Sequence, residues 1–138
     1  MRMKKVLRIL CLTLAMITVL SSVVFASSAR ASKYLSAYHA TMFETSDGNI
    51  GIYFNVIAPR KMEHLGVTKI NIQRYNGSYW QTEYTYRYSE MPELQGENVA
   101  KHSATVVYEP QYPSSEYRAV LTFYGADSTG SDTGVYTT

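Results

Sequence analysis

From residue 32 onward, apolar and polar residues alternate with a period of two, which is the pattern of strands with one buried face. Ile50, Ile52, Phe54 and Val56 alternate with Gly51, Tyr53 and Asn55, following a turn signal at Ser46-Asp47-Gly48-Asn49. Tyr34 to Glu44 alternates less cleanly and predicts an edge strand ahead of that turn. Ala58-Pro59 predicts the end of the second strand, since proline has no N–H to donate to a ladder. Met62, Leu65 and Gly66 then read as a short turn that sets a hydrophobic plug over one end of the core. Val67 to Tyr75 predicts a third strand with Ile70 and Ile72 inward, and Asn76-Gly77 is a strong hairpin signal leading to a fourth, Ser78 to Tyr88. Ser89 to Asn98 contains Pro92, Gly96 and the acids Glu90, Glu93 and Glu97, and reads as a solvated crossover loop. Val99 to Tyr108 is the fifth strand. After a corner at Pro110 and Pro113, Tyr117, Ala119, Leu121 and Phe123 define a sixth, and a Gly-Ser-Asp loop leads to a seventh, Thr133 to Thr138. Seven short strands at this spacing predict an all-β, antiparallel two-sheet sandwich, with a small closed barrel as the competing architecture.

The amino terminus follows a different rule. Arg2, Lys4, Lys5 and Arg8 precede an apolar run from Ile9 to Phe25 interrupted only by Thr13, Thr18, Ser21 and Ser22, which predicts a signal-peptide helix. Small residues allow cleavage after Ala26 or as late as Ala31, so residues 1–26 read as leader and 32–138 as the folded domain. An uncleaved membrane anchor would need about 20 apolar residues, and this run is shorter. Cys11 lies in the leader without a lipobox, so the mature domain holds no cysteine and must be stable through burial alone. The four basic residues of the leader leave with it, so beyond residue 26 nine Lys and Arg face eleven acids, and the formal charge turns from +2 to −2. That balance argues against a nucleic-acid partner. All 13 tyrosines lie after residue 26, a density suited to sheets with half-wet faces.

The carboxyl-terminal stretch resembles the last two strands of fibronectin type III and related immunoglobulin-like domains. Tyr117 after Pro113 stands at the tyrosine-corner position of those families, and Ala119, Leu121 and Phe123 match their core face. The resemblance implies a seven-stranded immunoglobulin/fibronectin-like sandwich of the branch without the disulfide. Over nearly its whole mature length the chain is also similar to an uncharacterised family of small exported single-domain proteins of Gram-positive bacteria. The shared stretches are GNIGIYFNV, LGVTKINI, the Asn-Gly hairpin and YRAVLTFYGADSTGS. That likeness implies export and brings no activity with it, and a fold does not supply one.

Little in the domain suggests catalysis. It lacks a G-x-S-x-G nucleophile motif, and His39, His64 and His102 are far apart in sequence, without the short spacings of a zinc site. Asp127 to Asp132 superficially suggests a calcium loop but lacks the acids or amides at positions three and five and the glutamate at twelve. Asn76-Gly77-Ser78 matches a glycosylation acceptor, and its turn role already explains it. Glu83, Glu90, Glu93, Glu97, Glu109 and Glu116 fall mostly in loops or at strand ends, as a solvated rim would. The expectation is therefore no catalytic residues, no metal and no cofactor.

The candidate binding surface is the stretch SYWQTEYTYRY, in which strict alternation would place Trp80, Tyr84, Tyr86 and Tyr88 on one face. A two-residue Asn76-Gly77 turn would set Ile72 opposite Gln81 and turn this stripe outward. A three-residue loop, Tyr75 to Gly77, would bring Trp80 to the side of Ile72 and bury it. The bulged, buried register is favoured, because an unpaired buried polar group costs about 1–3 kcal/mol and the alternative buries Gln81 and Glu83. The expected protein is a secreted, extracellular, monomeric, non-catalytic binding or adhesion-type module for a protein or glycan, free of the membrane after leader cleavage. The alternatives are a small secreted hydrolase or toxin-like effector, and a structural envelope protein without a specific ligand.

Overall fold

The computed structural model describes residues 32–138, and the predicted leader with both of its cleavage points lies outside them. Among the described residues the domain is all-β, with six antiparallel strands and one 3-10 turn at Pro92–Leu94. The strands are β1 (Ala37–Glu44), β2 (Ile50–Tyr75), β3 (Trp80–Arg87), β4 (Gln95–Tyr108), β5 (Tyr117–Asp127) and β6 (Gly130–Thr137). No helix of the described residues is long and apolar enough to cross a membrane.

The expectation of seven strands is corrected to six, because the second and third are one. β2 continues for 26 residues straight through Pro59. Proline is tolerated there because the β2–β4 ladder is interrupted between Ile57 and Met62, so the missing N–H falls where no ladder bond is made. Met62 and Leu65 close the core as expected, fully buried, but from within a strand and not from a turn.

This long strand organises one hydrogen-bonded sheet. Along Ile50–Ile57 it pairs β1 on one edge and β4 on the other. Along His64–Arg74 it pairs β5, and from Lys69 to Tyr75 it pairs β3 on the opposite edge. β6 pairs β5 only. The sheet curls about the Ile57–Met62 irregularity into a half-barrel, so that its two halves face each other across a shared core. Ile52, Phe54 and Val56 from the first half meet Ile70, Ile72, Ala119, Leu121 and Phe123 from the second, all of them fully buried. Each of these positions was inward by alternation, and their burial provides the main stabilisation at about 25 cal/mol per Å² of apolar surface removed from water.

Across the seam between β1 and β6 there is no ladder, and tyrosines pack instead. Tyr38 stacks on Phe123 at 4.8 Å between ring centroids, and His39 meets Tyr136 edge-on at 5.0 Å. Gly134 has no side chain because the Tyr38 ring occupies the space a Cβ would need.

The loops are tighter than expected. β5 and β6 are joined by Ser128-Thr129 alone, because the Asp127 carboxylate accepts bonds from the Thr129 N–H at 2.8 Å and from its hydroxyl at 2.5 Å. Arg60, at the β2 corner, donates from Nη2 to the same carboxylate at 2.6 Å and from Nη1 to the Lys33 carbonyl at 2.9 Å. These bonds, the two from Thr129 foremost, hold the Asp127 carboxyl down at about 2, below its ordinary 3.8. A carboxylate with a depressed folded-state pKa contributes stability above its unfolded value and loses it as pH falls toward the folded one. Between about pH 4 and pH 2 the wild type should therefore lose more stability than Asp127→Asn. Urea midpoints for both proteins at pH 6 and pH 2 check this, and equal losses would refute it.

Candidate functional site

The β2–β3 hairpin decides where the aromatic stretch points, and it adopts neither of the two registers considered from sequence. Tyr75 pairs with Trp80, so the connection is the four residues Asn76 to Tyr79. Asn76 causes this: its side-chain oxygen accepts from the N–H groups of Ser78 at 3.0 Å and Tyr79 at 3.1 Å, while its own N–H donates to the Tyr79 carbonyl. Gly77 takes the positive φ of 96° that the turn requires. A second irregularity follows, between Ile72 and Gln73, where β3 carries one extra residue. Beyond it Ile72 faces Tyr84 and Ile70 faces Tyr86.

The bulge divides the stripe. Trp80 lies on the outer, solvent side with Tyr75, Gln73 and Thr82, so the favoured reading that buried it beside Ile72 is overturned. Tyr84 and Tyr86 lie on the inner side, at 4.8 Å from each other. Tyr88, past the end of β3, stands edge-on to His64 at 6.4 Å and packs against the core. The four candidate residues are thus not one surface.

Two aromatic groupings result, and both include residues from outside the 78–88 stretch. On the inner side, at the mouth between β3 and β4, Tyr84 lies parallel to Tyr108 at 6.3 Å and Tyr108 meets Tyr117 at 6.0 Å. Tyr86 donates its hydroxyl to the Val107 carbonyl at 3.0 Å, which ties β3 to β4 where no ladder joins them. Burial first, then neighbouring tyrosines, pushes the Tyr86 and Tyr108 phenols up. Arg74 donates to Glu83 at 2.6 Å, the chief cause of its raised pKa, and its guanidinium lies 4.1 Å from the Tyr112 ring centroid. The Tyr117 hydroxyl accepts from the Tyr112 N–H at 3.3 Å, five residues upstream. Tyr86, Tyr108 and Tyr117 of this grouping pack against the core, whereas Tyr84 at its mouth is 49% exposed. Beside the grouping, an open cleft of about 420 Å³ lies between Met42, Phe43, Ile50, Pro110, Pro113 and Tyr117.

On the outer side, Trp80 meets Tyr75 at 5.4 Å, and the Arg118 guanidinium sits 4.4 Å from the Trp80 ring centroid. Arg118 is oriented by donating Nε–H to the Gln73 side-chain oxygen at 2.7 Å, and Gln73 in turn donates to Thr82 at 3.3 Å. Trp80 is half-buried and Tyr75 is 39% exposed, so this stack faces water. Only the pairing of β2 with both β3 and β5 assembles it, which is why no short stretch of sequence signals it.

The histidines are not brought together. His39 bonds the Thr41 hydroxyl at 3.2 Å, and His102 Nε2 lies 2.8 Å from the Glu93 carbonyl. His64 Nδ1 finds no hydrogen-bond partner among the described residues. Groups of three or more His, Cys, Asp or Glu placed to hold a metal ion do not occur among the described residues.

Fold and surface together define a curled antiparallel β domain with a polar-aromatic outer face. No family model, no curated protein and no solved structure matches the chain.

Proposed function

We propose that this is an exported, non-catalytic binding module that holds a protein or glycan outside the cell or at its envelope. The observation that carries the reading is the Tyr75–Trp80–Arg118 stack on the solvent side of the sheet. A tryptophan, a tyrosine and an ordered arginine outside the core do little for packing, and these residue types dominate binding hot spots. The basic, then apolar, then small-residue pattern of residues 1–31 supports export. Placement among small exported single-domain proteins of Gram-positive bacteria rests on the likeness of GNIGIYFNV, LGVTKINI, the Asn-Gly hairpin and YRAVLTFYGADSTGS that follow that leader. The immunoglobulin/fibronectin-like reading draws its support from the last hairpin, where Tyr117 reaches back to upstream backbone as a tyrosine corner does.

Trp80→Ala should keep the fold and weaken ligand retention by about tenfold, as loss of one hot-spot aromatic does. Tyr84→Phe, inside the inner grouping, should leave retention unchanged. Glycan-array and envelope pull-down measurements with the purified wild type and both variants test this. Equal retention by wild type and Trp80→Ala would end the reading.

A further inference from the structure

The outer face that carries Trp80 has a second property, which concerns charge. Lys69 on β2 stands directly opposite Arg87 on β3, and the other members of that row are Thr122 on β5 and Val135 on β6. Like charges directly opposite one another across strands are destabilising. Both side chains are exposed, and no carboxylate of the described residues lies in this row to offset them. The next outward row is Asn71, Thr85, Val120 and Thr137, and the third is Gln73, Thr82 and Arg118. These rows also lack a carboxylate among the described residues, in a domain whose acids outnumber its bases. A residue pair that weakens the sheet, in three successive rows without an acid, is accounted for if an anion sits across it; the exposed Glu116 stands only one row further on, opposite Tyr75.

The spacing extends the point. Two residues of strand advance about 6.8 Å, so the Lys69–Arg87 row and the Arg118 row are about 13–14 Å apart. Between them lie the hydroxyls and amides of Thr82, Thr85, Asn71 and Gln73, with Trp80 and Tyr75 at the far end. Cations at both ends of a hydroxyl- and amide-lined track, closed by an aromatic stack, suit an extended polymer bearing both hydroxyl and carboxylate groups. A nucleic acid would need more cations than this acidic domain offers. An extended peptide adding to the sheet would use the unpaired backbone edge of β3, whereas the cations, hydroxyls and amides described here stand out from the face of β2, β3 and β5.

We propose that the outer face of β3, β2 and β5 binds an acidic polysaccharide, with Lys69 and Arg87 receiving one carboxylate and Arg118 a second. This rests on the binding function proposed above and names its ligand class. The test is affinity electrophoresis of the purified protein in gels containing polygalacturonate, neutral dextran or polyglutamate. Polygalacturonate should retard the protein selectively, and its binding should weaken between about 50 and about 300 mM salt. Lys69→Ala/Arg87→Ala should bind it about fivefold or more weakly, while unfolding at the same or a higher urea midpoint because the repulsion is gone.

Unchanged binding by the double variant overturns the inference. Equal retardation by polyglutamate overturns the glycan part, and equal retardation by dextran overturns the charge part while leaving a binding module in place. If no polymer retards the protein, the inference falls, and the Trp80→Ala pull-down separately decides whether the binding function falls with it.

Discussion

Gly66→Ala should lower the urea midpoint more than any other single methyl addition in this domain. Gly66 lies in β2 opposite Gln95, at a φ of +158°, and a Cβ there would run into the Leu94 carbonyl oxygen and approach the Gln95 Cα at 2.7 Å. Those are backbone atoms, held by the 3-10 turn whose Leu94 side chain is itself fully buried, so neither can swing aside. Strain at such a backbone position costs about 1–3 kcal/mol. Overpacking adds about 1–3 kcal/mol more. The sum is comparable to much of a small domain's total stability of about 5–15 kcal/mol. Gly48→Ala is the control: its φ is +78°, but nothing lies within 4 Å of the added carbon, so only the backbone preference is lost, about 1–2 kcal/mol. A Gly66→Ala protein as stable as Gly48→Ala would show that β2 and the start of β4 do not approach as described.

Phe54→Ala comes next. The Phe54 ring is fully buried, 6.0 Å from Phe123 in an edge-on arrangement and 6.0 Å from His102. It is the largest fully buried side chain in the first half of the sheet. Deleting it removes the transfer free energy of the ring and leaves a cavity between two sheet halves that β2 holds apart, for a loss of about 3–5 kcal/mol. At a urea m-value of about 1.5 kcal/mol per molar, the midpoint falls by about 2–3 M. Tyr53→Ala, one residue away on the outer face and 38% exposed, should cost far less. Equal losses at the two positions would mean that the alternation does not mark the inside of this sheet.

That contrast shows how much was legible. Ile52, Phe54, Val56, Ile70, Ile72, Leu121 and Phe123 are inward by simple alternation, and all are fully buried. Local two-residue periodicity suffices because a strand's successive side chains must point to opposite sides. The continuity of β2 was not legible, because Pro59 is a reliable strand ender unless the partner ladder breaks at the same place, and that break belongs to β4. The direction of Trp80 was not legible either. The even, four-residue connection held by the Asn76 side chain turns Trp80 outward, and the extra residue in β3 then exchanges the faces of Tyr84 and Tyr86, which follow it.

The chain's own pattern therefore determined the all-β class, the inward positions and the absence of any cysteine cross-link in the described domain. Tertiary structure alone decided that one 26-residue strand serves both halves, that the tyrosines split into an inner packing group and an outer stack, and that Arg118 lies on Trp80. The physical reason is one of range. Alternation is imposed residue by residue along a single strand, whereas register, bulges and cross-strand neighbours are settled between segments far apart in sequence, where a shift of one residue exchanges inside for outside.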